Sequence, residues 1–312
     1  MNRTRKALQA LCLLIIFSFC VPAGAQQAAE SNVPQAKSAG GLPVVLWRDP
    51  ADIASRNLLY GPGGKEHAPT GKFKFVAEGK EGATPKFDAV DEQGVRWRVK
   101  VGPEARAETA ASRLLWAAGY FADEDYYVPE LRVEGMQKLS RGQEFVSKDG
   151  VVRGAGLERH VAGRKKIGPW SWSDNPFVGT KELSGLKVMM SLMSNWDTAE
   201  RNNAIYDEGG ERHYLVSDVG ATFGKIGGVF SRSKDNLKDY SQSDFVRKAA
   251  PEYVDFSFKH IPRADAKWLG ALLSRLSADQ IRDCFRAAGY SPEEIEGYTK
   301  AVQDRIRALN HF

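Results

Sequence analysis

Cysteine is scarce. There are three in 312 residues, and Cys12 and Cys20 both lie within the first 25. Beyond them only Cys284 remains, so no internal disulfide can staple the chain. Long apolar runs are equally few. The one at Ala7–Phe19 is shorter than the roughly 20 residues of a membrane span. Arg3, Arg5 and Lys6 precede it and Val21-Pro22-Ala23-Gly24-Ala25 follows. A basic flank, a short apolar core and an A-x-A end predict a secretory signal cut after Ala25. The protein is then secreted or periplasmic, and touches a membrane only if the signal stays uncleaved. A surplus of one charge is missing too. The signal carries three basic residues and no acid, so its removal takes the formal charge from +5 to +2. That leaves no nucleic-acid footprint. No internal repeat is visible. No G-K-[ST] closes a glycine turn, which excludes a Walker A loop.

What remains, about 287 residues, is long enough for one two-lobed domain or two small ones. Residues 26–45 read as a flexible leader rich in small and polar residues. Runs of β-branched and aromatic residues at Phe73–Glu78, Lys86–Asp91 and Val95–Val101, separated by turn signals, predict antiparallel strands. Tyr126–Val133 adds another, and Arg153–Val161 a connecting strand. Helices follow where apolar residues recur at i, i+3 and i+4: Glu104–Gly119, Thr180–Ser194, and three segments after Pro262. The expected fold is therefore α+β, with an antiparallel-sheet N-lobe over 46–160 and a mainly helical C-lobe over 161–312.

The chemistry is concentrated in Asn195–Gly220, NWDTAERNNAIYDEGGERHYLVSDVG. Asp197 is followed five residues later by Asn202. A strand at Ala204–Tyr206, a turn and a strand at His213–Val216 then deliver Asp218. Phosphoryl transfer needs a carboxylate to orient the attacking hydroxyl. It also needs an amide and a second carboxylate to hold Mg²⁺ against the phosphates. D-x-x-x-x-N followed by D-x-G is that spacing. Two polar turns flanking a hairpin would look the same, so upstream agreement matters. It exists. The turn Gly79–Lys86 is rich in small residues that let backbone amides approach an anion, with Lys80 or Lys86 for charge. Lys100 ends the third strand on the face opposite Trp97, Val99 and Val101, and Glu108 lies early in the next helix.

In this order the motifs resemble the atypical kinase-like superfamily that includes phosphatidylinositol kinases and secretory-pathway protein kinases, and HipA-type bacterial kinases most of all. Gly82-Ala83-Thr84-Pro85-Lys86 is similar to the HipA-type phosphate loop, and Glu104, Glu108 and Gly119 fit its helix pattern. Glu158-Arg159 resembles its hinge strand, and Asn195, Asp197 and Asn202 its N-x-D-x-x-x-x-N loop. The resemblance implies a phosphotransferase that moves the γ-phosphate of a nucleotide, ATP above all, to a protein, lipid or sugar hydroxyl with Mg²⁺ or Mn²⁺. It places Asp197, Lys100 and Glu108 in catalysis. Gly82, Ala83, Thr84, Lys86, Lys100 and Glu158 would meet the nucleotide, and Asn202 and Asp218 the metal. The chain departs from the pattern in having Thr198-Ala199-Glu200 after Asp197 where a basic residue is usual two positions on. Asn203 doubles Asn202 and leaves open which amide meets metal, with the spacing favouring Asn202.

Other readings stay open. An inactive, kinase-shaped scaffold of the cell envelope would account for a secretory signal. Arg164-Lys165-Lys166 ahead of Trp170 and Trp172 reads either as a docking surface for an acidic or carbohydrate partner or as packing. Gly220–Ser243 falls where kinases carry a mobile activation segment.

Overall fold

The computed structural model describes residues 41–228, 230–246, 248–249, 252–255 and 257–312; the expected signal over 1–25 lies outside them. The strands of the first lobe are β2 (Phe73–Gly79), β3 (Lys86–Asp91), β4 (Arg96–Val101), β5 (Asp125–Glu134) and β6 (Val151–Arg159). They close into a barrel ordered β2-β3-β4-β6-β5. The sequence suggests a simple meander, but β6 inserts between β4 and β5, and β2 meets β5 in parallel at Phe73↔Val133. Alternation explains the barrel interior. Phe87, Ala89, Trp97, Val99, Val101, Val152 and Leu157 point inward and form one buried cluster. The opposite face of β4 carries Lys100.

Helix α1 (Glu104–Ala117) follows β4 directly and ends at Gly119, whose φ of +89° suits glycine. Its buried residues Ala107, Ala110, Ala111, Leu114 and Leu115 do not belong to the barrel cluster. They join the larger core formed with the C-lobe helices. Those helices are α2 (Lys181–Leu192), α3 (Leu237–Gln242), α4 (Arg263–Leu273), α5 (Ala278–Ala287) and α6 (Pro292–Asn310). The last two begin with capping boxes at Ser277/Gln280 and Ser291/Glu294, as S-x-x-E/Q spacing predicts. Cys284 on α5 is fully buried in this core; its Sγ lies 3.6 Å from the Gln280 carbonyl, and burial pushes the thiol pKa up.

The leader expected over 26–45 stops short of its boundary. Residues 26–40 lie outside the described residues, while β1 (Val44–Val45) pairs in parallel with β9 (Glu211–Val216). Two adjacent β-branched residues extend that sheet edge where a polar leader could not. Leu46, Trp47, Ile53 and Leu58 then pack into the large core with the C-lobe helices. β7 (Lys165–Gly168), β8 (Asn203–Glu208) and β9 complete a four-stranded sheet ordered β1-β9-β8-β7.

Candidate functional site

The geometry begins with Lys100. Its Nζ lies 2.6 Å from Glu108 Oε1 on α1 and 3.3 Å from Glu158 Oε2 on β6. Lys100 and Glu108 are 8% and 4% exposed, so this is a buried ion pair and not a solvated strand face. Burial alone would lower the lysine pKa. Glu108, Glu158, Asp218 and Asp125 outweigh it and raise Lys100 well above its ordinary range. Burial would likewise raise Glu158, but Lys100 and Arg98 hold it below the usual carboxylate value. Glu158, offered by the sequence as a nucleotide contact at the hinge, thus has its side chain on the lysine.

Lys86 is the cross-strand partner of Lys100. Burial first, then the Lys100 charge, lowers its pKa, and it makes no ion pair among the described residues. A Cβ at Gly82 would sit 3.4 Å from Lys86 Nζ, so this ammonium folds beneath the loop. Gly82, with φ of +71°, and Ala83 are exposed, while Thr84 is half-buried and donates its hydroxyl to Glu104 Oε2. Lys80 is on the same turn, where its carbonyl accepts from Arg141.

On the C-lobe side, buried Asn195 accepts the Asp197 N–H at 3.0 Å and shapes the loop. Asn202 Nδ2 donates to the Asp197 carbonyl at 2.9 Å. The Asn202 carbonyl accepts both Ser217 N–H and Asp218 N–H, at 2.9 and 3.1 Å, which sets Asn202 beside Asp218. Asn203 points elsewhere: it is 1% exposed and donates to the Trp170 carbonyl at 2.9 Å. The duplicated asparagines therefore separate, one on the loop and one in the core. Asp218 is half-buried and makes no ion pair among the described residues. Asp197 is paired with exposed Arg201 at 3.2 Å, a cation four positions on where the usual one stands two positions on.

A hard cation takes oxygen ligands and often binds through one or two carboxylates plus phosphate. The Asp218 carboxylate and the adjacent Asn202 amide oxygen fit that donor set. Among the described residues no group of three or more His, Cys, Asp and Glu could hold a metal alone, so phosphate oxygens would have to complete the shell.

Two acids went unnoticed in the sequence, and a third, Glu104, stood out only for its place in a helix. Asp123 accepts from Arg164 at 2.7 Å and from the Ser217 hydroxyl at 2.6 Å, tying the start of β5 to the residue before Asp218. Asp125 faces the Lys100 cluster, and burial, Asp123 and Glu158 push it up to about 8. Both lie in Ala122-Asp123-Glu124-Asp125, which reads as a polar turn. Glu104 matched a helix pattern, but nothing marked it as the partner of Thr84 and Lys234.

Of the two readings of Trp170 and Trp172, packing is the one that the burial supports. Trp170 and Trp172 are 4% and 8% exposed and donate to the Leu215 and Thr198 carbonyls. They brace the Asp197 loop from within and offer no exposed sugar platform. The segment after Asp218 is anchored at several points. Trp196 Nε1 donates to the Ser233 carbonyl, and Asp235 N–H and Asn236 N–H donate to the Thr222 and Phe223 carbonyls. A groove between α3 and α6, lined by Tyr240, Phe245, Lys300 and Arg305 among others, shares no residue with this site.

A strand lysine paired to a helix glutamate, an Asp-to-Asn loop and a second aspartate, on a barrel joined to a helical lobe, give an α+β protein whose arrangement is similar to that of kinases. No family model matches the chain, and no curated protein matches it. Among solved structures, the proinflammatory kinase CtkA of Helicobacter pylori is 11% identical, with a TM-score of 0.49 over 78% of this chain and 97% of its own. The Golgi casein kinase with Mn/ADP bound is 11% identical, with a TM-score of 0.34 over 77% and 75%. The Rio2 kinase of Chaetomium thermophilum, solved as an ADP/Mg²⁺-phosphoaspartate complex, is 10% identical, with a TM-score of 0.32 over 75% and 72%.

Proposed function

We propose that the chain is an exported phosphotransferase that moves the γ-phosphate of a nucleotide, ATP in the first instance, to a hydroxyl on a protein, lipid or sugar. The observation that carries this is the buried Lys100–Glu108 pair at 2.6 Å, beside an Asp218 that is without an ion pair among the described residues and is held next to Asn202. Desolvating a lysine and a glutamate together costs several kcal/mol per ion and is a poor way to gain stability. A pair kept for binding phosphate is the better account. Lys100, oriented by Glu108, would hold the α- and β-phosphates under the Gly82–Lys86 loop. Asp197 would orient the acceptor hydroxyl and accept its proton. Asn202 and Asp218 would hold Mg²⁺ or Mn²⁺, which when bound offsets the phosphate charge. The phosphate loop supports a HipA-type affiliation within this class, and the N-terminal signal supports export.

A second reading, a kinase-shaped binding protein without turnover, is favoured by the extra Glu158 contact on Lys100 and by Arg201 on Asp197. One experiment separates them. Residues 26–312 are given labelled ATP with Mg²⁺ or Mn²⁺, alone and with a cell-envelope extract, as wild type and as Asp197→Asn. The phosphotransferase predicts transfer by wild type, and at least a hundredfold less by the variant with nucleotide binding retained. Nucleotide binding without transfer by wild type selects the scaffold. No binding rejects both.

A further inference from the structure

Glu104 stands at a junction that the catalytic reading leaves unused. One carboxylate oxygen accepts from Thr84 in the phosphate loop, and the other is paired with the Nζ of Lys234. The side chain is 13% exposed, and a Cβ at Gly220 would come within 2.8 Å of Glu104 Cβ, so it packs directly over the turn after Asp218. Lys234 thus reaches the phosphate loop through a single carboxylate, from the C-lobe side.

The backbone that carries Lys234 is fixed at both ends. Ser233 is held by Trp196, the neighbour of Asp197, and Asp235 is bound to Thr222 and ion-paired with Arg106 at 3.0 Å. The lysine side chain is the adjustable part, at 33% exposure. The other two cations differ in supply. Lys100 is already shared between two carboxylates, and Lys86 makes no ion pair among the described residues. A nucleoside triphosphate brings about four negative charges to this cleft, more than these groups offset. A glutamate beside the loop would repel that charge unless its lysine stayed near.

We propose that Lys234 is a third phosphate-binding cation, held by Glu104 and transferable to the terminal phosphate of the nucleotide. It approaches from beside the Asp218 turn, on a segment tied through Ser233 to Trp196 next to Asp197, whereas Lys100 approaches from the barrel. The terminal phosphate lies toward the acceptor, so Lys234 distinguishes a triphosphate from a diphosphate. The exchange needs no chain rearrangement, because a four-carbon stem on a fixed backbone can turn from carboxylate to phosphate. This assignment rests on the nucleotide reading above.

The test is calorimetric binding of ATP and ADP, each with Mg²⁺, to wild type, Lys234→Ala and Lys234→Arg, with apo melting temperatures alongside. Lys234→Ala should weaken ATP binding at least tenfold and ADP binding less than threefold, and Lys234→Arg should restore most of the difference. Equal weakening for both nucleotides, or none, overturns the assignment while leaving the nucleotide site intact. Wild type that binds neither nucleotide overturns both together. If Lys234→Ala loses apo stability, the ATP-to-ADP ratio of the folded Lys234→Arg protein decides: a ratio like that of wild type supports the assignment, and a ratio near one overturns it.

Discussion

At the scale of single residues, the site is dominated by carboxylates that have too few cations. Asp125 shows the consequence. It is 4% exposed and faces Asp123, Glu158, Lys100 and Arg113. The Arg113 guanidinium is buried over the Tyr126 ring, with Nε and Nη1 lacking hydrogen-bond partners among the described residues. Burial, then Asp123 and Glu158, raise Asp125 to about 8, well above the unfolded value of about 3.9. A raised carboxylate stabilises the fold fully below the unfolded pKa and loses that contribution as pH climbs through 8. Asp125→Asn removes the titration. We expect the excess of its melting temperature over wild type to grow steadily from pH 5 and to level off above pH 8, several degrees larger there than at pH 5, on the order of 2–4 °C per kcal/mol. Thermal unfolding across pH 5–9 checks this, and parallel curves for the two proteins would contradict it. Asp123 and Asp125 were illegible in the sequence for a simple reason. Consecutive acids before a strand look like a solvated turn, and only the closure of β5 against β6 turns them inward.

At the scale of elements, α1 was easy to recognise and hard to place. Alanines and leucines at helical spacing marked its buried face, and Gly119 marked its end. Nothing local could say which core that face enters, because a helix packed on a barrel and one packed on other helices present the same stripe. It enters the C-lobe core. The hairpin β8–β9 was similarly legible from its turn at Asp207–Gly210, whereas the insertion of β6 depends on long-range pairing that no local pattern encodes. The position of α1 has a dynamic corollary. Its amides should exchange with solvent in the same slow group as α5 and α6, whose core it shares, while the barrel strands exchange as a separate group. Native-state hydrogen exchange decides this, and α1 exchanging alongside β4 at the lower protection would refute the shared unit.

At the scale of the whole molecule, the pair Lys100–Glu108 spans two cores, the lysine on a barrel strand and the glutamate on a helix rooted in the C-lobe. Displacing α1 from β4 therefore stretches this charge pair. Removing one partner strands the other's charge at a cost of about 3–5 kcal/mol, so the pair links lobe geometry to phosphate binding. The α+β character was readable from the alternation of the strands before residue 160 and the helical periodicity after Pro262. The placement of Leu46–Leu58 was not, because a short apolar segment beside Asp49-Pro50 could have packed on either lobe.

The lone thiol offers something of a different kind. In a chain beginning at residue 26, Cys284 is the single sulfhydryl, fully buried on α5 at the centre of the large core. It can act as a clock stopped by folding. A maleimide or iodoacetamide added to the native protein should label it only as often as α5 opens, at a rate matching the slowest amide exchange in that helix. A nucleotide that seats in the cleft and steadies α1 should slow the clock further, although it touches nothing near the sulfur. Rapid labelling of the native protein would mean that this core opens on its own.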